Sequence, residues 1–307
     1  MPMKKSMKLR ILFGLIMIAA IVGVLYLDWA AAQDGPLDDK PGVPLAAMWV
    51  VVGAVAFIEF ARLCKSIGVK VLWVSGLLGS VAVATLPVWW RFFDVTAREG
   101  LPGDLALVLI ALVLAAIFLE QMIVHRLGDA LRQVACTAMA VLYLGVGGAV
   151  ILGLRVDPNY RLPMLVVFLA AVKFTDIGAY FTGSLIGRHK LIPWLSPGKT
   201  WEGLAGGLAI AAGISVLLVW LSGRIDPQGS RHMLVTAMSL PQAAVFGVVV
   251  GAVGQFADLC ESLLKRAANV KDSGALVPEF GGVLDIIDSP LLAAPAAVVF
   301  LFLLEMV

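Results

Sequence analysis

The sequence predicts an all-α polytopic membrane protein of about nine transmembrane helices, N-terminus in the cytoplasm and C-terminus outside. Three observations predict it. The 307 residues are 61% hydrophobic and 14% charged, whereas soluble domains carry about 25% charged residues. Apolar runs of about 20 residues, enough to cross roughly 30 Å of hydrocarbon, recur along the whole chain. Lys and Arg gather in alternate connections, the asymmetry that keeps basic loops in the cytoplasm.

The runs fall at about 9–27, 43–63, 70–90, 101–123, 133–153, 162–183, 202–222, 240–264 and 285–306. The first follows Lys4, Lys5, Lys8 and Arg10 and ends near Ala30-Ala31-Ala32-Gln33. Its apolar stretch, Ile11 to Leu27, is long for a secretory signal, so it reads as a retained helix. Inner connections hold Arg62, Lys65 and Lys70, then Arg126 and Arg132, Arg188, Lys190 and Lys199, and Lys265, Arg266 and Lys271. Outer ones hold only Lys40, Arg91, Arg98, Arg155, Arg161, Arg224 and Arg231. Two polar loops, 184–201 and 265–284, therefore face the cytoplasm. The chain divides into an N-terminal set of about five helices (1–160) and a C-terminal catalytic region (161–307). A net charge of +2 says nothing about nucleic acid, but with no basic tail or RNA-binding signature no nucleic-acid partner is expected. Cys64, Cys136 and Cys260 lie in or beside apolar runs without CxxC spacing, which excludes a disulfide framework or zinc site.

Charge inside a bilayer is costly and marks a functional site, and here it is concentrated in the second half. Asp258, Glu261 and Lys265 stand three and four apart, on one helical face. Lys173 and Asp176 can neutralise each other, either as a buried structural pair or as the wall of a cavity. Ser196-Pro197-Gly198-Lys199-Thr200 combines the ingredients of a phosphate cradle with those of a helix N-cap. It is no P-loop, because position 193 is proline and no strand precedes it. Asp285 and Asp288 lie one turn apart at the head of the last run. With Asp258 they offer hard oxygen ligands for magnesium, although paired aspartates there also serve as capping groups. Lys265, Arg266 and Lys271 stand ready for phosphate oxygens. Enzyme and transporter are both open on these residues. Lys173, Asp176, Asp258 and Glu261, with Glu59 and Glu120, are what an ion relay would use, but no internal repeat of the transporter kind is visible. Gly203/Gly207 and Gly247/Gly251 have the spacing of close helix packing.

Taken in register, these residues resemble the phosphatidate cytidylyltransferases, or CDP-diacylglycerol synthases. The signature S-x-x-K-R-x4-K-D-x-G-x3-P-G-H-G-G-x-x-D-R-x-D falls on Ser262, Lys265, Arg266, Lys271, Asp272, Gly274, Pro278, Gly281, Gly282, Asp285 and Asp288. The upstream pattern falls on Asp176, Ala179, Tyr180, Gly183, Ser196, Pro197, Lys199, Thr200, Glu202 and Gly203. The likeness covers about residues 170–290. Glu279, Phe280 and Ile286 replace a glycine, a histidine and an arginine of the pattern.

The resemblance implies a magnesium-dependent enzyme of phospholipid synthesis that makes CDP-diacylglycerol and pyrophosphate from CTP and phosphatidate. It would be integral to the bacterial inner membrane, with its site open to the cytoplasm. Asp258 and Asp285 are expected to hold the metal, with Asp288 a ligand or an orienting group, and a second, monovalent cation has room beside it. Lys265, Arg266 and Lys271 would neutralise phosphates. Ser196, Lys199 and Thr200, with Asp176, Gly281 and Gly282, would bind substrate. A homodimer is a further implication. The three departures leave open a member that acts on another lipid phosphate, or one that binds CTP without turnover.

Overall fold

The computed structural model describes residues 5–31, 41–93, 102–157, 161–225, 238–274 and 281–306. Pro278, Glu279 and Phe280 lie outside the described residues, as do Lys4, Ala32, Gln33, Lys40, Arg98 and Arg231.

Every predicted run is helical, because a backbone in hydrocarbon must satisfy its own N–H and C=O groups. Helix α1 is Lys5–Ala31, α2 Val43–Ser66, α3 Trp73–Phe92 and α4 Pro102–Glu120, the last continued by a π turn, Gln121–His125. Helices α5 (Ala130–Ala140) and α6 (Gly147–Val156) are joined by a π segment, Val141–Val146, into one span. Helices α7 (Arg161–Ile186), α8 (Trp201–Ile225), α9 (Leu240–Ala267) and α10 (Leu284–Glu305) complete the order. Among the described residues, 8 helices after α1 are long and apolar enough to cross a membrane.

The sequence reading and the structure differ between α7 and α8. Residues 184–201 are not an open polar loop but a continuation of α7 followed by an antiparallel hairpin. Its strands are β1 (Lys190–Ile192) and β2 (Ser196–Thr200), with Lys190 opposite Thr200 and Ile192 opposite Ser196. Glu202, at the head of α8, accepts hydrogen bonds from the Arg188 and His189 backbone N–H groups and pairs with His189 Nδ1 at 2.6 Å. These contacts close the base of the hairpin.

The chain forms two compact units. The first comprises residues 1–153 and 267–287, the second residues 154–266 and 288–307. In the first, Leu72, Val83, Val113, Ile117 and Val141 make the apolar core. Polar side chains tie its helix ends. Buried Asp28 accepts from Gly42 N at 2.9 Å, before α2. Glu120 of α4 accepts from Ser75 N at 2.6 Å and Val74 N at 3.3 Å, capping α3 from a neighbouring helix.

In the second unit α7, α8 and α9 approach backbone to backbone. A methyl at Gly207 would stand 2.7 Å from Thr175 O, and one at Gly178 would stand 3.0 Å from the Gly207 Cα. At Gly251 it would lie 2.5 Å from Thr175 Oγ1, and at Gly247 it would run into Ala211 O. Both GxxxG pairs thus serve close packing within the chain.

Candidate active site

The first group of polar side chains lies in the second unit. Its base is α9, whose spacing puts Asp258 and Glu261 on one face; Asp288 from the first turns of α10 joins them. Ligand oxygens of Asp258, Glu261 and Asp288 all lie within 4.8 Å of one another. Glu261 is 0% and Asp288 2% exposed, whereas the Asp258 side chain is 34% exposed. One oxygen of Asp288 accepts from Ser289 N at 2.6 Å; Oδ2 is buried with no hydrogen-bond partner among the described residues.

Cations stand against this trio. Lys199 of β2 places Nζ 2.5 Å from Asp258 Oδ2 and 3.1 Å from Gln255 O, while Lys265 pairs with Glu261 one turn along α9. Gln255 in turn donates from Nε2 to Asp176 Oδ1 at 2.6 Å, linking α9 to α7. Lys173 is close enough to attract both Asp176 and Asp288. Three carboxylates crowded together, two of them buried, repel one another. Two lysines at the edge and an unpaired buried oxygen are a donor set that a hard divalent cation completes, so the residues fit magnesium.

The hairpin explains how Lys199 reaches this cluster. Thr200, the next residue, is buried, and its Oγ1 accepts from Gly203 N at 3.1 Å as the N-cap of α8. A Cβ at Gly187 would stand 2.7 Å from the same oxygen, and one at Gly203 2.9 Å. Thr200 is therefore packed rather than open to a ligand, while Ser196 is half-buried and Gly198 exposed on the strand before it.

A second group lies in the first unit. Asp285 Oδ2 accepts from Gly282 N at 2.6 Å, Ser273 Oγ at 2.8 Å and Ser273 N at 3.0 Å. Gly281 has φ +91°, and a methyl there would stand 2.6 Å from the same oxygen. Buried Glu59 of α2 meets this group, accepting from Leu284 N at 2.8 Å and Ser273 Oγ at 3.4 Å. Lys271 is exposed in the first unit and Arg266 exposed in the second.

Of the residues singled out from sequence, Asp176, Lys199, Asp258, Lys265 and Asp288 are thus brought together in the second unit. Asp285, Gly281 and Gly282 make the other group. The sequence reading did not put Glu261 among the ligands, although its three-residue spacing from Asp258 signals a shared face. It treated Glu59 only as a relay candidate and passed over Gln255, a neutral residue with no local pattern to mark it.

Comparison with known proteins bears on the same residues. The cytidylyltransferase family profile matches residues 8–304. The phosphatidate cytidylyltransferase of Bacillus subtilis is 30% identical over 257 residues, covering 82% of this chain and 87% of that protein. That of Haemophilus influenzae is 38% identical over 146 residues, 48% of each chain. The Brucella suis protein of the same name is 37% identical over 165 residues, 54% of this chain and 56% of its own. The last two matches span about half of those relatives' length. With nearly its whole length matched, the chain belongs to the cytidylyltransferase family, as an integral membrane nucleotidyltransferase.

Proposed function

We propose that the protein transfers the cytidylyl group of CTP to phosphatidate, giving CDP-diacylglycerol and pyrophosphate for phospholipid synthesis. The observation that carries this reading is the trio Asp258, Glu261 and Asp288, the last two buried, flanked by Lys199 and Lys265. A cluster that holds a divalent cation beside lysines is made for polyphosphate. The relatives' names supply the lipid.

An oxygen of the phosphatidate phosphate attacks the α-phosphorus of CTP. The new P–O–P bond forms as the bond to the β-phosphate's bridging oxygen breaks, and its electron pair leaves on pyrophosphate. The nucleophile is already an anion, so no strong base is required. The obstacle is holding two polyanions together, which makes positioning and charge neutralisation the protein's task. Asp258 and Asp288, with Glu261, would hold magnesium. When bound there, the ion neutralises phosphate charge at the reacting centre and on the departing pyrophosphate.

Lys199 exchanges Asp258 for a substrate phosphate oxygen. Lys265, Arg266 and Lys271 would supply further positive charge, and Ser196 of β2 would offer a hydroxyl to a substrate phosphate. Asp285 acts through the loop it holds, keeping Gly281 and Gly282 in place. Asp176, through Gln255, fixes the face of α9 that carries Asp258. The basic bias of the connections and the bacterial relatives support an inner-membrane protein whose site opens to the cytoplasm, where CTP is. Phosphatidate would enter sideways with its acyl chains still in lipid, and two copies would pair as a homodimer.

The test is CDP-diacylglycerol formation by the purified protein from phosphatidate and labelled CTP, with magnesium and with EDTA. Product that disappears with EDTA is expected, and potassium-for-sodium exchange in the same assay reports on a second, monovalent cation. A folded sample that binds CTP but forms no product would overturn the reading in favour of another lipid phosphate or binding alone.

A further inference from the structure

Lys199 reaches Asp258 from a hairpin that has little of its own to hold it in shape. The strands are 3 and 5 residues long, with an irregular register between Lys190 and Ile192. Pro197 has no N–H to give the ladder, and Gly198 brings no side chain to pack. A two-stranded hairpin alone is at best marginally stable. Yet the Lys199 ammonium meets two groups of α9 at once, Asp258 Oδ2 at 2.5 Å and Gln255 O at 3.1 Å. Something outside the ladder must fix the strand that carries it.

Glu202 does this from the first turn of α8. Arg188 and His189 lead from Gly187 into β1, and both donate their N–H groups to the Glu202 carboxylate, at 3.1 and 3.2 Å. An ionised carboxylate only accepts, so His189 Nδ1 carries the proton of the 2.6 Å contact. Trp201 N donates to His189 O at 3.0 Å, which ties the same two segments a second time. Hydrogen bonds to a charged acceptor are roughly twice as strong as neutral ones. Negative charge is also favoured at a helix N-terminus. The brace thus joins the chain entering the hairpin to the chain leaving it, three residues beyond Lys199. Leu195 is buried at the turn and Thr200 caps α8, so Lys199 lies between two held points.

We infer that Glu202 is a positioning residue of the reaction, bracing the base of the hairpin so that Lys199 is set against the Asp258 face of α9. This rests on the function proposed above. Glu202 works through the Arg188 and His189 backbone and the imidazole, not by touching substrate. Every group in the brace, from Arg188 to Asp258, belongs to the second unit. The imidazole is 79% exposed, so breaking the pair should leave the helices folded.

Glu202→Ala, Lys199→Met and the two together test it. The readouts are steady-state kinetics with CTP and hydrogen exchange of the intact protein in detergent. Misplacing a binding group is costly, but less so than removing it. Glu202→Ala should raise KM for CTP about fivefold, leave kcat within about twofold, and speed exchange at residues 188–201 about tenfold. Exchange in the interior of α8 and in α9 should match the parent. In the Lys199→Met background the same change should alter KM by less than about twofold, because residues acting through one another do not add. A brace that served the fold alone would add its loss in both backgrounds. Unchanged exchange at 188–201, unchanged KM despite faster exchange, or additive losses in the paired variant would each overturn the inference. If the parent forms no CDP-diacylglycerol, the proposed reaction fails by itself, and the Kd for CTP with magnesium carries the comparison between variants. A parent that binds no CTP would then overturn the inference as well.

Discussion

In the second unit, ligand oxygens of Asp258, Glu261 and Asp288 lie within 4.8 Å of one another, with lysines at the edge and Asp288 Oδ2 accepting no hydrogen bond among the described residues. In the first unit, Asp285 Oδ2 takes three hydrogen bonds from Ser273 and Gly282, two of them from backbone N–H groups. Each group combines a partly exposed aspartate with buried acid, Asp258 with Glu261 and Asp288 in one, Asp285 with Glu59 in the other. They differ in what balances the charge. Backbone amides that are fixed in place make an acid part of the fold, whereas an acid short of donors is stable only beside a cation. Hydrogen-bond supply separates Asp285 from Asp288 where residue type does not.

The largest effect should come from breaking the cation-dependent group. Asp258→Asn removes the most exposed of the three carboxylates proposed to hold the metal and should lower CTP-dependent turnover by roughly a thousandfold, about 4 kcal/mol of transition-state stabilisation. The variant should stay in the membrane with its thermal unfolding little changed, because among the described residues no backbone N–H is seen to donate to Asp258. Near-normal turnover of the purified variant would remove Asp258 from the metal site. Next comes Lys199→Met, which takes a phosphate partner from the rim. KM for CTP should rise about tenfold, equivalent to about 1.4 kcal/mol, with a smaller change in kcat. A loss confined to kcat would place Lys199 on the departing pyrophosphate instead.

The other group should fail in the opposite manner. Asp285→Asn keeps one acceptor oxygen but loses the charge that three donors face. A cost of about 1–3 kcal/mol of stability is expected, read as earlier thermal unfolding in detergent, with activity falling only severalfold. If Asp285→Asn instead matched Asp258→Asn in activity while melting like the parent, Asp285 would belong with the metal ligands.

These two groups also show what could be read from the chain. The helices were legible because apolar runs of about 20 residues have one stable form in lipid. The Asp258–Glu261 face was legible because helical spacing is a local property. The Gly203/Gly207 and Gly247/Gly251 contacts were legible for the same reason. Glu59 was not, since its partners Ser273 and Leu284 lie 214 and 225 residues away. Nothing in the pattern of α2 points to a loop that far along. Gln255 escaped notice because a neutral amide in a helix advertises no partner, and Asp176 is 79 residues away. The hairpin escaped because strands of 3 and 5 residues, rich in Pro, Gly and Lys, carry no alternating signal.

The smallest effect tests the transport reading that the intramembrane charges first allowed. An ion relay through Glu59 and Glu120 would need acids that are free to change partners. Glu120 instead accepts from Ser75 N and Val74 N, so that its carboxylate caps α3 as a serine or aspartate would from within the chain. Glu120→Ala should therefore cost only about 1 kcal/mol of stability, the usual value of a lost cap, and leave turnover of CTP unchanged. The measurement is a thermal unfolding curve and an initial rate on one preparation. A melting curve like the parent's combined with lost activity would return Glu120 to a functional role. The expected result leaves it as a structural clamp between α3 and α4.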